Sequence, residues 1–422
     1  MKTPFLISTA LALTLGSAAL AEAPSPKAVL ETYADIAAAK FDDSLITAKA
    51  LQAAVDALIA APSEATLQAA KGAWLAARPS YQRTEVYRFG NPIVDEWEGK
   101  VNAWPLDEGL IDYVDTSSYG ESEENDYAAL NVVATPVFTL SGTEVDATDI
   151  TPELLENTLH EADGIDTNVA TGYHAIEFML WGQDLNGHAP GAGNRPWTDY
   201  LQGDGCTHGN CDRRAAYLKA ATDLLVSDLE YMASQWATGG DARNDVLADE
   251  TAGLTAMLTG MGSLSYGEQA GERMRLGLML NDPEEEHDCF SDNTHNSHYY
   301  DGMGIRNAYL GQYTRVDGTV VSGASLSDLV AAKDSALDSE VRAKLDATMD
   351  ALGALKKAAE NGFAYDQMLE RGSVRGEELI MAGVNGLIDQ AKSFERVVSA
   401  FELDGVAVEG SDSLDNPSSV FE

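Results

Sequence analysis

His174 and Glu177 are the residues of this sequence best suited to hold a cation. Residues three apart lie one above the other on one helical face, so an imidazole nitrogen and a carboxylate can close on one ion, as in helical-bundle metal sites. The alternative is a buried histidine hydrogen-bonded to a neighbouring acid. Gly172, two residues before His174, costs about 1 kcal/mol relative to alanine inside a helix. It therefore indicates close backbone packing or a ligand that needs room.

A second candidate segment, residues 287–298, holds three of the seven histidines among oxygen-bearing side chains. Imidazole suits iron, copper or zinc, and carboxylates suit a hard ferric ion. We therefore expect His287, Asp292 and His295 to contact a metal or another ligand. The alternative is that residues 292–294 only cap the helix that follows them.

A third set of candidates forms a stripe with alternating spacings of four and three residues. Its members are Trp74, Arg78, Tyr81, Glu85 and Arg88. Charged groups on a buried helix face are costly unless they are paired. Pro79 should kink this helix and re-aim the residues that follow it. The stripe either contributes to the site or forms an internal Arg–Glu network that joins two helices.

Familiar catalytic motifs are missing from the sequence. His160-Glu161 is followed by Gly164 where the zinc-protease helix needs its second histidine, and His174 and Glu177 are followed by Phe178 where the inverted motif needs one. No Walker loop, no G-x-S-x-G and no strand-linked G-x-G-x-x-G occurs. These absences disfavour a familiar hydrolase or nucleotide enzyme.

The elements that must position these residues are helices. Near the C-terminus, apolar residues from Ile380 to Phe401 recur every three or four positions, and strand signals are sparse. We predict an all-α fold. The glycine- and proline-rich stretch 182–209 divides the chain, so we expect two helical domains, 22–205 and 206–409, and a loose tail, 410–422.

The first 21 residues predict export. Lys2 precedes an apolar run that ends in Ala19-Leu20-Ala21, which is the pattern of a cleavable secretory signal. We expect cleavage before Glu22 and a periplasmic protein. No cysteine lies near the cleavage point, so a lipoprotein anchor is not expected. No later stretch has the ~20 apolar residues of a membrane span.

Export also permits disulfides. Cys206 and Cys211 lie in a glycine-rich loop where a bridge can close. The rival is a metal site that uses His208, but C-x4-C with one histidine lacks the second ligand pair of a structural zinc site. We expect the disulfide, which leaves Cys289 unpaired.

The charge of the chain limits its partners. Among 422 residues, 68 acids against 27 lysines and arginines give a net charge of -41. Such a chain repels nucleic acid and anionic lipid surfaces, whereas metal cations remain natural partners. A simpler explanation of the bulk charge is solubility in salty surroundings.

The motif Gly172-Tyr-His174-Ala-Ile-Glu177 resembles the G-x-H-x-x-E motif of the imelysin family. Companion segments resemble the iron-regulated protein A branch of that family, and the similarity covers nearly the whole mature chain. These segments are Trp104-Pro105 with 111–114, 206–214, and 286–295.

The resemblance implies an all-helical protein of two bundle-like domains, with a site around the motif near their interface. It also implies a role in bacterial iron regulation and uptake at the cell envelope. The family name reflects a reported insulin-cleaving peptidase, but neither zinc-protease motif is complete here.

Our first hypothesis is a periplasmic protein that binds ferric or ferrous iron, or a small iron complex, without covalent chemistry. Its metal ligands would be His174, Glu177 and Glu85. The surrounding ligand site would comprise Gly172, Arg78, Tyr81, Arg88, His287, Asp292 and His295. Envelope iron-uptake components are candidate protein partners. The alternatives are a zinc-dependent metallopeptidase and an envelope scaffold or receptor component.

Overall fold

The computed structural model describes residues 23–115 and 125–421. The expected signal peptide, 1–21, lies outside these residues. The α-helices are α1 Pro26–Ala60, α2 Glu64–Gln82, α3 Pro92–Asn102, α4 Glu108–Ile111, α5 Pro152–Leu154, α6 Gly172–Trp181, α7 Cys211–Trp236, α8 Asp241–Ala248, α9 Glu250–Ser263, α10 Leu276–Leu280, α11 Thr294–Leu310, α12 Leu326–Lys333, α13 Ser335–Glu360, α14 Tyr365–Leu369, α15 Val374–Phe401 and α16 Asp412–Asp415.

Within residues 23–115 and 125–421, strands are confined to two small antiparallel hairpins. β1 Val137–Leu140 pairs with β2 Thr143–Asp146, and β3 Gln312–Thr314 pairs with β4 Val320–Ser322. The predicted all-α class is confirmed.

Local sequence signals explain where the long helices begin and end. The Ser25 hydroxyl accepts a hydrogen bond from the amide of Ala28 at the start of α1, and Pro62 follows its end because the residue before proline avoids the helical region. Ser63 and Thr66 form a capping box at the start of α2. The apolar stripe of α15 is buried from Ile380 to Phe394, as its spacing predicts.

The helices pack as two adjoining groups around one continuous hydrophobic core. In the first group α1 packs against α2 and α7, and α6 lies against α2, α3 and α7. In the second group α15 packs against α9 and α13, and α13 packs against α11 and α12. α1 also contacts α8 and α9, which joins the two groups.

This packing places α7 with the first group, although α7 follows the expected boundary at 205/206. The glycine-rich stretch before α7 is a surface connection, and α7 buries its apolar face on α1 and α6. The helix interactions thus extend the N-terminal group to about the end of α7.

In the part of the chain that the structure describes, two segments of π-helix interrupt the α-helices, Leu155–Leu159 and Leu264–Arg275. The longer one joins α9 to α10 and carries the buried Arg273 and the partly exposed Glu268. π-Helical turns are often found at functional sites.

The C-terminal residues are not the loose tail that we expected. α16 lies within 410–422, and the buried Ser413 hydroxyl donates a hydrogen bond of 3.0 Å to the carbonyl oxygen of Gly271. Gly271 leaves the room that Ser411 occupies, since a Cβ there would lie 2.3 Å from the Ser411 Cβ. The tail was mispredicted because a short polar segment has no periodicity even when it is packed.

Among the described residues, no helix is both long and apolar enough to cross a membrane.

Candidate functional site

The buried helix α6 carries both His174 and Glu177. Gly172 is its first residue rather than an interior one, and its φ of +79° lies in the left-handed region. A Cβ at Gly172 would lie 2.5 Å from the carbonyl oxygen of Val101 in α3. Glycine therefore allows α3 to approach the start of α6, which is the close backbone packing that its position suggested.

His174 and Glu177 form a direct hydrogen bond in the interior. Nδ1 of His174 lies 3.0 Å from Oε2 of Glu177, and both side chains are fully buried. The other oxygen of Glu177 accepts two hydrogen bonds from Ser291, one from the amide at 3.0 Å and one from the hydroxyl at 2.6 Å. Glu177 thus has protein partners on both oxygens, whereas Nε2 of His174 has none among the described residues.

Burial makes this contact a hydrogen bond rather than an ion pair. Burial, followed by the Arg78 cation, lowers the pKa of His174 to about 3. Burial, followed by the Asp288 carboxylate, raises the pKa of Glu177 well above its usual range. The carboxyl therefore keeps its proton and donates it to Nδ1, and the proton of the neutral imidazole lies on Nε2. A metal ion at Nε2 would displace one proton of the pair, which leaves Nδ1–H donating to the Glu177 carboxylate.

A second imidazole, that of His287, lies beside the first. The two ring centroids are 4.8 Å apart, with the rings nearly perpendicular. Burial, followed by the Arg273 cation, lowers the pKa of His287 well below its usual range. Two neutral histidines from opposite halves of the chain therefore meet.

Arg78 and Asp288 form a fully buried ion pair next to these rings. Nη2 of Arg78 lies 2.7 Å from Oδ1 of Asp288, and Nη1 donates to Oδ1 of Asn102 at 2.7 Å. Burial opposes ionisation of Asp288, but the Arg78 cation outweighs it and holds the pKa of Asp288 well below its usual range.

Aromatic rings enclose the guanidinium of Arg78. Its carbon lies 5.0 Å from the ring centroid of Tyr173, 5.4 Å from that of Trp74 and 5.7 Å from that of Tyr81. Such cation–π contacts offset part of the cost of burying the charge. Arg78 and Tyr81 thus lie near the site, where Tyr81 is a packing surface for Arg78.

One ligand atom from each of His174, His287 and Asp288 lies within 4.8 Å of the others. The three groups are not equally available. Oδ2 of Asp288 accepts hydrogen bonds from Asn293 at 2.6 Å and Ser297 at 2.5 Å, and Oδ1 is held by Arg78. The donors free to bind a cation are therefore imidazole nitrogens, foremost Nε2 of His174.

A solvent-accessible cavity of about 490 Å³ reaches His287. Arg88 and Arg273 also line it, but acidic side chains outnumber them. The acidic residues are Glu98, Glu161, Asp166, Glu268, Glu272 and Glu285. A cleft with an excess of one charge raises the local concentration of the opposite ion. This cavity therefore favours the approach of cations to His287.

Two predicted site residues of the N-terminal stripe belong to a separate network. α2 ends at Gln82, so Glu85 and Arg88 do not continue the face that carries Arg78. Glu85 pairs with Arg273 at 2.6 Å, and Arg88 pairs with Glu98 at 3.3 Å and with Glu268 at 3.5 Å. The Arg–Glu network is the alternative that the structure supports, and Glu85 is not grouped with His174.

Asp292 and His295 also lie elsewhere. Asp292 is grouped with two other carboxylates, those of Asp184 and Asp366. His295 lies in the first turn of α11, where Nε2 contacts the Asn296 amide at 3.1 Å. The capping alternative fails too, because the N-cap residue Asn293 makes no capping hydrogen bond with its side chain.

Cys206 and Cys211 form a disulfide at the start of α7, and Cys289 is free and buried.

The sequence did not identify two residues of the site, Asp288 and Ser291. Asp288 directly follows His287, but nothing in the sequence distinguishes it from the other acids of that segment. Ser291, the partner of Glu177, carries no metal-ligand signal at all. A search for a buried acid to pair with Arg78 could have found Asp288, because a buried arginine requires one.

The fold and the site define an all-helical protein with a buried His–Glu pair on a short glycine-started helix. The family model for imelysin matches residues 37–394, and the chain belongs to the imelysin family. No curated protein matches the chain.

Solved structures share the fold, among them two from different organisms. One is described as an iron-regulated protein A precursor from Parabacteroides distasonis ATCC 8503; it is 19% identical, with 90% of this chain and 96% of that chain covered and a TM-score of 0.64. The other is an imelysin-like protein from Psychrobacter arcticum 273-4; it is 13% identical, with 92% and 100% covered and a TM-score of 0.55.

Proposed function

We propose that this protein binds an iron ion or a small iron complex through His174 and His287 and performs no covalent chemistry. The observation that carries the proposal is the buried Nε2 of His174, which has no partner among the described residues. A buried polar atom without a partner is costly, and a bound metal supplies that partner.

Glu177 serves in this proposal as the residue that positions His174. A metal-bound histidine commonly donates its second ring N–H to a carboxylate, which fixes the ring and its tautomer. Glu177 occupies that place, and Ser291 holds the carboxylate in turn. This role differs from the direct ligand that the motif alone suggests.

The small number of free protein donors favours a ligand that brings its own oxygen atoms. Asp288 is committed to Arg78, Asn293 and Ser297, so two imidazoles are the available ligands. Iron takes both nitrogen and oxygen donors. Water or a chelating molecule in the acidic cavity would complete the coordination.

Export to the periplasm is part of the proposal. The signal pattern of residues 1–21 supports it, and so does the disulfide between Cys206 and Cys211, since such bonds persist in oxidising compartments. One solved structure of the same fold is described as an iron-regulated protein A precursor, which is consistent with iron as the ligand.

The test is calorimetric titration of ferric citrate, ferrous ion and zinc ion into the mature protein and its variants. We expect stoichiometric iron binding that is lost in His174→Ala and in His287→Ala. His295→Ala is the matched control and should bind as the wild type does, because His295 lies outside the site. Circular dichroism should show that the variants remain folded. Unchanged iron affinity in both site variants would overturn the proposal.

A zinc peptidase is the second candidate, because His174, His287 and Asp288 offer two nitrogens and one oxygen within 4.8 Å. A catalytic zinc site uses three protein ligands and an open position. Asp288 would first have to leave Arg78. Cleavage of an unfolded protein substrate that is blocked by a chelator, restored by zinc and absent in His174→Ala would favour this candidate.

A further inference from the structure

A second group of acids lies where three parts of the chain converge, and the proposed iron site does not use it. Asp184 follows α6, Glu286 and Asp292 flank the 3-10 turn Cys289–Ser291, and Asp366 lies in α14. Carboxylate oxygens of Asp184, Asp292 and Asp366 lie within 4.8 Å of one another. Glu286 is within hydrogen-bonding reach of Asp366.

Several oxygens of this group are buried without a partner. Glu286 is fully buried, with the Thr294 hydroxyl as a nearby donor, and neither of its carboxylate oxygens makes a hydrogen bond of good geometry. Asp366 is 2% exposed, and its Oδ2 likewise makes none. Oδ1 of Asp292 is also buried without a hydrogen-bond partner among the described residues. Carboxylates buried together without a donor or a countercharge are strongly unfavourable.

The backbone nearby orients the carboxylates without satisfying them. Oδ2 of Asp292 accepts a hydrogen bond of 2.9 Å from the amide of Gly191. Oδ1 of Asp184 accepts one of 2.8 Å from the amide of Asn186. His188 contacts only the carbonyl oxygen of Asp366, at 3.1 Å. In the described part of the chain, no lysine, arginine or histidine forms an ion pair with any of the four acids.

Solvent can reach this group. Asp184 lines a cavity of about 410 Å³, together with Glu108 and Glu284. This acidic cavity gives a cation a path to the carboxylates.

We propose that Asp184, Glu286, Asp292 and Asp366 form a second cation site, which takes a hard divalent ion of the calcium class. Calcium binds six to eight oxygen atoms at about 2.3–2.6 Å and accepts irregular geometry. Four carboxylates and a few waters meet that need, and no imidazole takes part. By binding all four carboxylates, the ion would connect the loop after α6 and helix α14 with the segment that carries His287 and Asp288.

The alternative to a bound cation is that the acids hold protons. Burial, with the Asp292 carboxylate, raises the pKa of Asp366 to about 8. Burial, with the same carboxylate, raises the pKa of Asp184 to about 6. A cation replaces these protons at neutral pH only if its binding to the carboxylates releases more free energy than removal of the protons costs.

The experiment uses the mature protein, stripped of metal with a chelator and titrated with calcium chloride, by calorimetry and by thermal unfolding. We expect one strongly bound calcium ion per chain and a rise in Tm of roughly 3 °C or more at saturation. Asp366→Asn should lose this rise. Without calcium its Tm should equal or exceed that of the wild type, because a buried carboxylate has been removed.

Three comparisons make the result specific. Asp350→Asn removes one exposed charge and should keep the calcium response. His174→Ala should also keep it, so failure of the iron proposal would not affect this one. Asp292→Asn replaces Asp366→Asn if the latter does not fold. A wild-type Tm that calcium does not change, or an equal rise in wild type and Asp366→Asn, would overturn the proposal.

Discussion

Nδ1 of His174 lies 3.0 Å from Oε2 of Glu177, and no solvent reaches either side chain. The motif suggests that both residues are metal ligands, but in the structure they have different roles. Glu177 is held by Ser291 and orients the ring, while His174 keeps one nitrogen free.

Glu177→Gln should weaken iron binding by about 10–100-fold, the usual effect of removing the partner of a metal-bound histidine. If the amide oxygen stays with Ser291, the amide nitrogen faces Nδ1 of His174. This favours the tautomer that carries its proton on Nε2, which opposes metal binding. Titration of ferric citrate measures the effect. Affinity equal to that of the wild type would show that Glu177 does not position the ring.

Gly172→Ala should lower the free energy of unfolding by at least about 2 kcal/mol. A residue other than glycine at positive φ costs roughly 1–2 kcal/mol, and the new Cβ would also meet the carbonyl oxygen of Val101 at 2.5 Å. Urea denaturation measures the change. Gly72→Ala is the control: this glycine lies inside α2 with open space around it, so alanine should stabilise the protein by about 0.5–1 kcal/mol. Equal effects of the two changes would contradict this description of Gly172.

Asp288→Asn should destabilise the protein by about 3–5 kcal/mol, because it leaves the buried Arg78 cation without its countercharge. The double variant Arg78→Met with Asp288→Asn should recover part of that loss, since neither charge is then buried alone. Chemical denaturation of the two single variants and the double variant tests the coupling. A loss below about 1 kcal/mol in Asp288→Asn would mean that the ion pair is not buried in solution.

Asp228→Asn should stabilise the protein at alkaline pH. Burial, followed by the Glu156 carboxylate, raises the pKa of Asp228 to about 7, above the roughly 3.9 of an unfolded chain. The folded state therefore holds this proton more tightly, and wild-type stability falls as the pH rises from about 4 to about 7. The gain from asparagine should reach at least about 1 kcal/mol near pH 8 and vanish near pH 4.

Urea denaturation at both pH values measures this gain. Asp350→Asn, which removes an exposed charge, should show little change at either pH. A constant gain across the range would show that Asp228 titrates as an exposed acid does.

The sequence predicted the parts of the fold and site that depend on local pattern. The stripe from Ile380 to Phe401 fixed α15, and the three-residue spacing brought His174 and Glu177 onto one face of α6. His287 was found because its segment is rich in histidine. These signals lie within one or two helical turns.

Relationships between distant segments could not be predicted in this way. Arg78 pairs with Asp288, 210 residues away, and only the folded chain brings them together. Glu85 was assigned to the metal because the helix was expected to continue, kinked at Pro79, as far as Arg88. α2 instead ends at Gln82, and Glu85 turns toward Arg273.

Anomalous diffraction at the iron absorption edge, from crystals of the iron-loaded protein, locates the ion without reference to activity. We expect a peak within bonding distance of Nε2 of His174 and beside the ring of His287, about 2.0–2.1 Å being usual for a zinc–imidazole bond. The role proposed for the histidine pair would be contradicted by a peak that lies only among Asp184, Asp292 and Asp366. It would also be contradicted if the protein binds iron in solution but shows no iron peak near the histidines.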